Sequence, residues 1–238
     1  MRRFRTERQG GDLMMKGVTG RIIELVRPHV PEASDGILTS AGICEGFAGA
    51  GVGTKVLIFA GLAGLLAGTL AAGAVEYSKI CAERDQQVAQ LTSERAQLAT
   101  APDAELDELT QLYVSRGLSR GLARQVAIEL TAHDALAAHA EVEHGITAAS
   151  LASPIRDALA VSAAFVAGAV LPWLAIILIP GPQRAAVTFV IVLLALALTG
   201  WISAQISDVH PVRPIVRTAA FGVLSMTITY VAGHLFYP

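Results

Sequence analysis

The sequence predicts an all-α integral membrane protein with five transmembrane helices and a helical insert on the cytoplasmic side between spans two and three. Three observations lead there. Of 238 residues, 53% are hydrophobic and only 16% charged, with a mean hydropathy of +0.53, whereas soluble domains carry about a quarter charged residues. The charges are segregated into a few segments, leaving long windows free of Asp, Glu, Lys and Arg. The basic residues also sort by side, as the positive-inside bias of membrane proteins requires.

Span one is assigned to Ala33–Thr54, a small-residue-rich stretch that holds Asp35 and Glu45. Hydropathy alone leaves a re-entrant or buried helix open for it; counting it as a span satisfies the charge rule. Span two is Val56–Val75, with Gly64 and Gly68 at a spacing that admits a close helix partner. Residues 158–179, 185–204 and 218–236 contain no charge and supply spans three to five. At about 1.5 Å per residue each is near the length of a hydrocarbon core. Trp173 and Trp201 suit the interfacial preference of indole.

Seven basic residues precede Asp35, and seven more lie between spans two and three (Lys79, Arg84, Arg95, Arg116, Arg120, Arg124 and Arg156). Arg213 and Arg217 flank the entry to span five, leaving only Lys55 and Arg184 on the other side. The expected organisation is therefore a cytoplasmic N-terminal segment (1–32), spans one and two (33–76), a cytoplasmic helical domain (77–156) and spans three to five (157–238). No apolar core beside a small-residue cleavage site stands near the N-terminus, so no signal peptide is expected. With the Ala-, Gly- and Arg-rich composition this points to a prokaryotic plasma membrane, although a vacuolar protein would share the topology.

Within the insert, Val88, Leu91 and Leu98 recur among polar residues over 83–99, an amphipathic helix continuing from span two. Thr100-Ala-Pro-Asp breaks it, and Pro102 suits the first turn of the next helix. Leu106, Leu109, Leu112 and Tyr113 then form an apolar stripe ending at Gly117, and Ser119 is placed to cap a third helix running to about His144.

Composition excludes several function classes. A formal net charge of −2 and 5% aromatic residues offer no nucleic-acid surface. Cys44 and Cys81 form neither a disulfide scaffold nor a zinc motif. No nucleophile elbow, P-loop, dinucleotide fingerprint or zincin motif occurs, so no enzyme is expected; a lipid-acting enzyme would also lack a nucleophile and base at usable spacing.

The residues left to carry chemistry are acidic. Eleven of the 20 acids fall within 83–143. Glu105 and Glu108 share a helix face, as do His139 and Glu143, and Glu94 and Gln97 repeat the three-residue step. Oxygen ligands with an imidazole suit Fe(II), Mn(II) and similar ions, although a charged helix face is more often simply solvated. Acids within the membrane are harder to explain without a function. Asp35 can be read as a helix cap or as a pathway residue, Glu76 as an interface marker or a ligand, and Glu45, well inside span one, is poorly placed for a cap.

The arrangement resembles the vacuolar iron transporter family, from about residue 27 to the C-terminus. Its landmarks are Ser34-Asp35-Gly36, the Ala60-Gly61 to Gly68 stretch and Glu76-Tyr77. They continue with Glu94-Arg-Ala-Gln97, Pro102-Asp103, Glu105-Leu-Asp-Glu108, Glu143-His-Gly145 and Gly168-Ala-Val-Leu-Pro172. The resemblance implies a homodimer that exchanges cytoplasmic Fe(II) or Mn(II) for protons, with the metal as cargo and no resident cofactor. It implies that Asp35 is the pathway aspartate and that Glu94, Glu105, Glu108 and Glu143 bind metal on the cytoplasmic side.

Three positions depart from the family pattern: Gln97 replaces a glutamate, Ala72 replaces a methionine, and His139-Ala140 stand where relatives carry methionines. His139 can compensate as a nitrogen ligand, and the loss of thioethers tilts the expected preference toward Mn(II). The resulting expectation is a proton-coupled exporter of divalent metal. In it Glu94, Gln97, Glu105, Glu108, His139 and Glu143 collect the ion, and Asp35, with Glu45 and Glu76, passes it through the membrane. The alternative is a metal-sensing or scaffold protein that kept the fold and lost transport.

Overall fold

The computed structural model describes residues 27–146, 153–207 and 209–236; residues 1–26, which hold six of the seven basic residues that precede Asp35, lie outside them. Seven α-helices are present among the described residues, and four are long and apolar enough to cross a membrane. The chain is thus a multi-pass membrane protein. It divides into two units, Met1–Val75 with Ala158–Pro238, and Glu76–Asp157.

In the first unit α1 (Val30–Gly49) begins behind Pro31 in its first turn, where a proline lacks only a hydrogen bond the helix would not make. It starts five residues before Asp35, which rules out the capping reading of that residue. The helix ends at Gly49, earlier than the expected Thr54, because Gly51 takes the left-handed φ of +68° and the chain turns directly into α2 (Thr54–Thr100). α5 (Pro154–Leu178), α6 (Arg184–Ser207) and α7 (Val212–Phe236) complete the unit.

α1 falls outside the four apolar helices, and its packing explains how. Ile37 and Ala41 join Val192, Leu196 and Met226 in one core cluster, so the helix packs against α6 and α7 through small side chains. Against α5 the approach is closer. Gly36 abuts the Phe165 carbonyl and Gly168 abuts the Ala33 carbonyl, with no room for a Cβ at either. A helix enclosed by other helices needs little hydrophobic surface of its own, which is why its hydropathy is low. Gly168→Val is therefore expected to separate α1 from α5 and destabilise the bundle by several kcal/mol, roughly the range of severe core overpacking. A thermal-unfolding midpoint unchanged from wild type would refute this contact.

Large apolar side chains face outward instead, among them Phe59, Leu70, Leu178, Leu194, Phe221 and Phe236, the pattern of a surface solvated by lipid. Trp201 is among the exposed residues. Trp173 is half-buried, and its indole N–H donates to the Ile58 carbonyl at 3.2 Å, binding α5 to α2. Arg184 donates to the Val52 carbonyl at 2.8 Å, so it lies at the same end of the unit as Lys55.

In the second unit the continuation of α2 packs with α3 (Pro102–Ser115) and α4 (Arg120–His144). Pro102 opens α3 as expected. Leu109, Ala127 and Ala138 form the core, flanked by Leu106, Tyr113, Leu130 and Val142. Arg116 donates to the Val142 carbonyl at 2.6 Å and ties the end of α3 to α4. Ser119 stands at the cap position of α4 but makes no side-chain cap bond. Val88, expected on a buried face, is 63% exposed; the buried positions on this part of α2 include Ile80 and Glu94.

Candidate metal centre

α4 is broken at Asp134, whose backbone leaves the helical region (φ −162°, ψ 95°) while its carboxylate accepts the Ala137 N–H at 2.9 Å. Asp134 in effect caps a fresh helical segment, and this segment carries His139 and Glu143. Gly145, at φ +65°, ends it. The break redirects the helical segment 135–144, in which His139 is completely buried.

Three carboxylates from three helices surround the imidazole. His139 Nδ1 lies 2.6 Å from Glu143 Oε1, 3.0 Å from Glu94 Oε1 and 3.9 Å from Glu105 Oε2. Glu94 and Glu105 are themselves buried, at 3% and 6% exposure. His139 Nδ1 is hydrogen-bonded to Glu143 Oε1, while Glu94 Oε1 and His139 Nε2 have no hydrogen-bond partner. Burial, and next to it the charge of Glu143, pushes the Glu94 carboxyl above the usual carboxylate range; His139 pulls in the opposite direction. Three acids sharing one imidazole make a site short of positive charge, with one buried oxygen left unsatisfied, which a divalent cation would relieve.

Donor atoms of Glu94, Glu105 and His139 fall within 4.8 Å of one another, as do those of Glu94, Glu143 and His144. An oxygen-rich set with imidazole and no thiolate suits Fe(II), Mn(II) and like ions. His144 is an addition to the sequence-based set, and its only signal there is adjacency to Glu143. Two expected members lie elsewhere. Glu108, one turn from Glu105, is exposed because the buried stripe of α3 runs through Glu105, Leu109 and Thr110 and Glu108 sits at its solvent edge. Gln97 is also exposed, and its side-chain carbonyl accepts from Ser93 at 3.3 Å.

The remaining acids are dispersed. Asp35 is exposed on α1. Glu45 is 2% exposed and its Oε1 has no partner. Thr188, missed in the sequence, is likewise buried with an unpartnered hydroxyl. It stands one turn before Val192, which shares a core cluster with Ala41, itself one turn before Glu45. Glu76 pairs with Lys79 at 3.5 Å near the surface. Ala72 packs against the apolar cluster of Leu65, Phe165 and Ala169.

The sequence profile of the VIT family matches residues 26–234. A vacuolar iron transporter of Acanthamoeba castellanii is 35% identical over 181 residues, covering 75% of this chain and 69% of that protein. Vacuolar iron transporter 1 of Tulipa gesneriana is 26% identical over 210 residues, with 87% and 85% covered, and that of Oryza sativa subsp. japonica is 26% identical over 210 residues, with 87% and 83% covered. A match that begins at the turn before α1 and runs almost to the end of α7 takes in both units, and the chain belongs to the VIT family.

Proposed function

We propose that this protein transports divalent metal, Fe(II) or Mn(II), out of the cytoplasm in exchange for protons. The observation that carries the reading is the buried cluster of Glu94, Glu105, His139 and Glu143, whose unpartnered oxygen and crowded negative charge suit a dication. The names of the relatives support a metal as cargo, and α1, enclosed by apolar helices, is read as the fifth span. Asp35 points out of the protomer from this central helix, where a second protomer would complete a path in a homodimer. Glu45 and Glu76 lie further along and at the end of spans one and two.

Coupling has a simple physical basis. A carboxylate that holds a dication is disfavoured from holding a proton, so loading metal releases protons and the reverse. The cluster forms without Gln97, so that substitution leaves its core donors in place. A transport-inactive sensor or scaffold remains the second reading, favoured by Ala72, which offers the route only an apolar methyl. Uptake of Fe(II) and Mn(II) into proteoliposomes with an acidic interior separates the two. The transporter reading expects uptake that falls as the interior is made alkaline; uptake indifferent to pH would defeat the antiport, and no uptake of either ion would favour the sensor.

A further inference from the structure

An open groove lined by charged, hydroxyl and aliphatic side chains lies at the junction of α6 and α7, within the first unit. It has a volume of about 910 Å³, in the range of sites that hold small molecules. Arg213 and Arg217 line it from α7, Ser203 and Ser207 from α6, and His210 from the connecting loop. Each pair is spaced four residues apart, so the arginines form one row and the hydroxyls another on facing helices. Among the described residues neither arginine pairs with a carboxylate; Asp208, in the same loop, lies outside them.

The position of this groove is as informative as its chemistry. The charge-free stretch of α6 ends beside it, and Trp201, 47% exposed, marks the level where indoles settle at a membrane boundary. Val209 and Val212 also line the groove and are about half exposed, at 50% and 55%, leaving aliphatic surface beside the cationic row. Two guanidinium forks with two hydroxyls match the oxygens of a phosphate, and the adjoining apolar surface would suit an acyl chain. We propose that this groove binds the phosphate of an anionic phospholipid, a role separate from the acidic cluster of the second unit and independent of metal transport.

The test uses the full-length protein in nanodiscs of phosphatidylcholine with phosphatidylglycerol, followed by native mass spectrometry of the lipids retained on release. Wild type is expected to retain phosphatidylglycerol preferentially. Arg213→Gln/Arg217→Gln is expected to weaken that retention by roughly tenfold or more, given the attraction each arginine near an anionic surface contributes. Lys79→Gln/Arg156→Gln removes the same charge elsewhere and is expected to leave retention intact. Should the arginine variant fail to fold, Ser207→Glu, which places a negative charge in the groove from an exposed position, is expected to give the same loss. Equal retention by wild type and the groove variant would overturn the proposal, as would an equal loss in the control. Displacement of the lipid by millimolar inorganic phosphate or glycerol 3-phosphate would overturn it in favour of a soluble anion.

Discussion

Asp35→Ala is expected to abolish metal flux in proteoliposomes while leaving metal binding by the full-length protein within about twofold of wild type. The two effects separate because Asp35 belongs to α1 in the first unit, whereas Glu94, Glu105, His139 and Glu143 belong to the second. Asp35 lies in the second turn of its helix and is exposed, so its removal breaks no cap and creates no cavity; surface substitutions of this kind usually change stability by less than about 0.5 kcal/mol. A loss of flux therefore cannot be ascribed to misfolding if the melting temperature is retained. Flux at the wild-type rate would remove Asp35 from the pathway, and loss of binding together with flux would show that the site is not confined to the second unit.

Glu94→Gln is expected to lower metal affinity at neutral pH by at least the roughly 10- to 100-fold that losing even an outer-shell partner costs. Calorimetric titration of Mn(II) into the full-length protein measures it. The same substitution should raise the stability of the metal-free protein, and the sign follows from the direction of the shift. Glu94 in the folded protein holds its proton to higher pH than it would in the unfolded chain. Its contribution is therefore fully present below the ordinary carboxylate range and is lost as pH rises through the raised value. Glutamine stays neutral throughout, so the variant should lose this part of the pH dependence and melt higher than wild type at neutral pH without metal. Wild-type affinity for metal should rise over the same pH interval, because the ion displaces the proton. A variant that binds Mn(II) as tightly as wild type would exclude Glu94 as a ligand.

Much of the helical architecture is legible in the sequence. Charge-free windows located α5, α6 and α7, since membrane burial leaves a signal in composition alone. Pro102, Gly117 and the apolar stripe of Leu106, Leu109 and Tyr113 set the limits and inner face of α3, because a missing donor, a left-handed turn and a helical period are local properties. The family resemblance rested on such local landmarks in a fixed order, and the match over residues 26–234 agrees with it.

The acidic cluster was legible only as a set of candidates. Spacing along one helix put Glu105 beside Glu108 and Glu94 beside Gln97, but it could not say which of each pair would turn inward. Burial of Glu94 and Glu105 depends on where α2, α3 and α4 meet, and that of His139 on a break at Asp134 for which the sequence has no strong signal. The low hydropathy of α1 was ambiguous for the same reason, since its environment is made by helices more than a hundred residues away. Sequence determined which segments are helices and which of them are apolar, because those depend on neighbours a few residues apart. Tertiary structure decided which oxygens share an imidazole and which small residues let backbones touch, because these contacts join distant parts of the chain and burial is a property of the assembled helices.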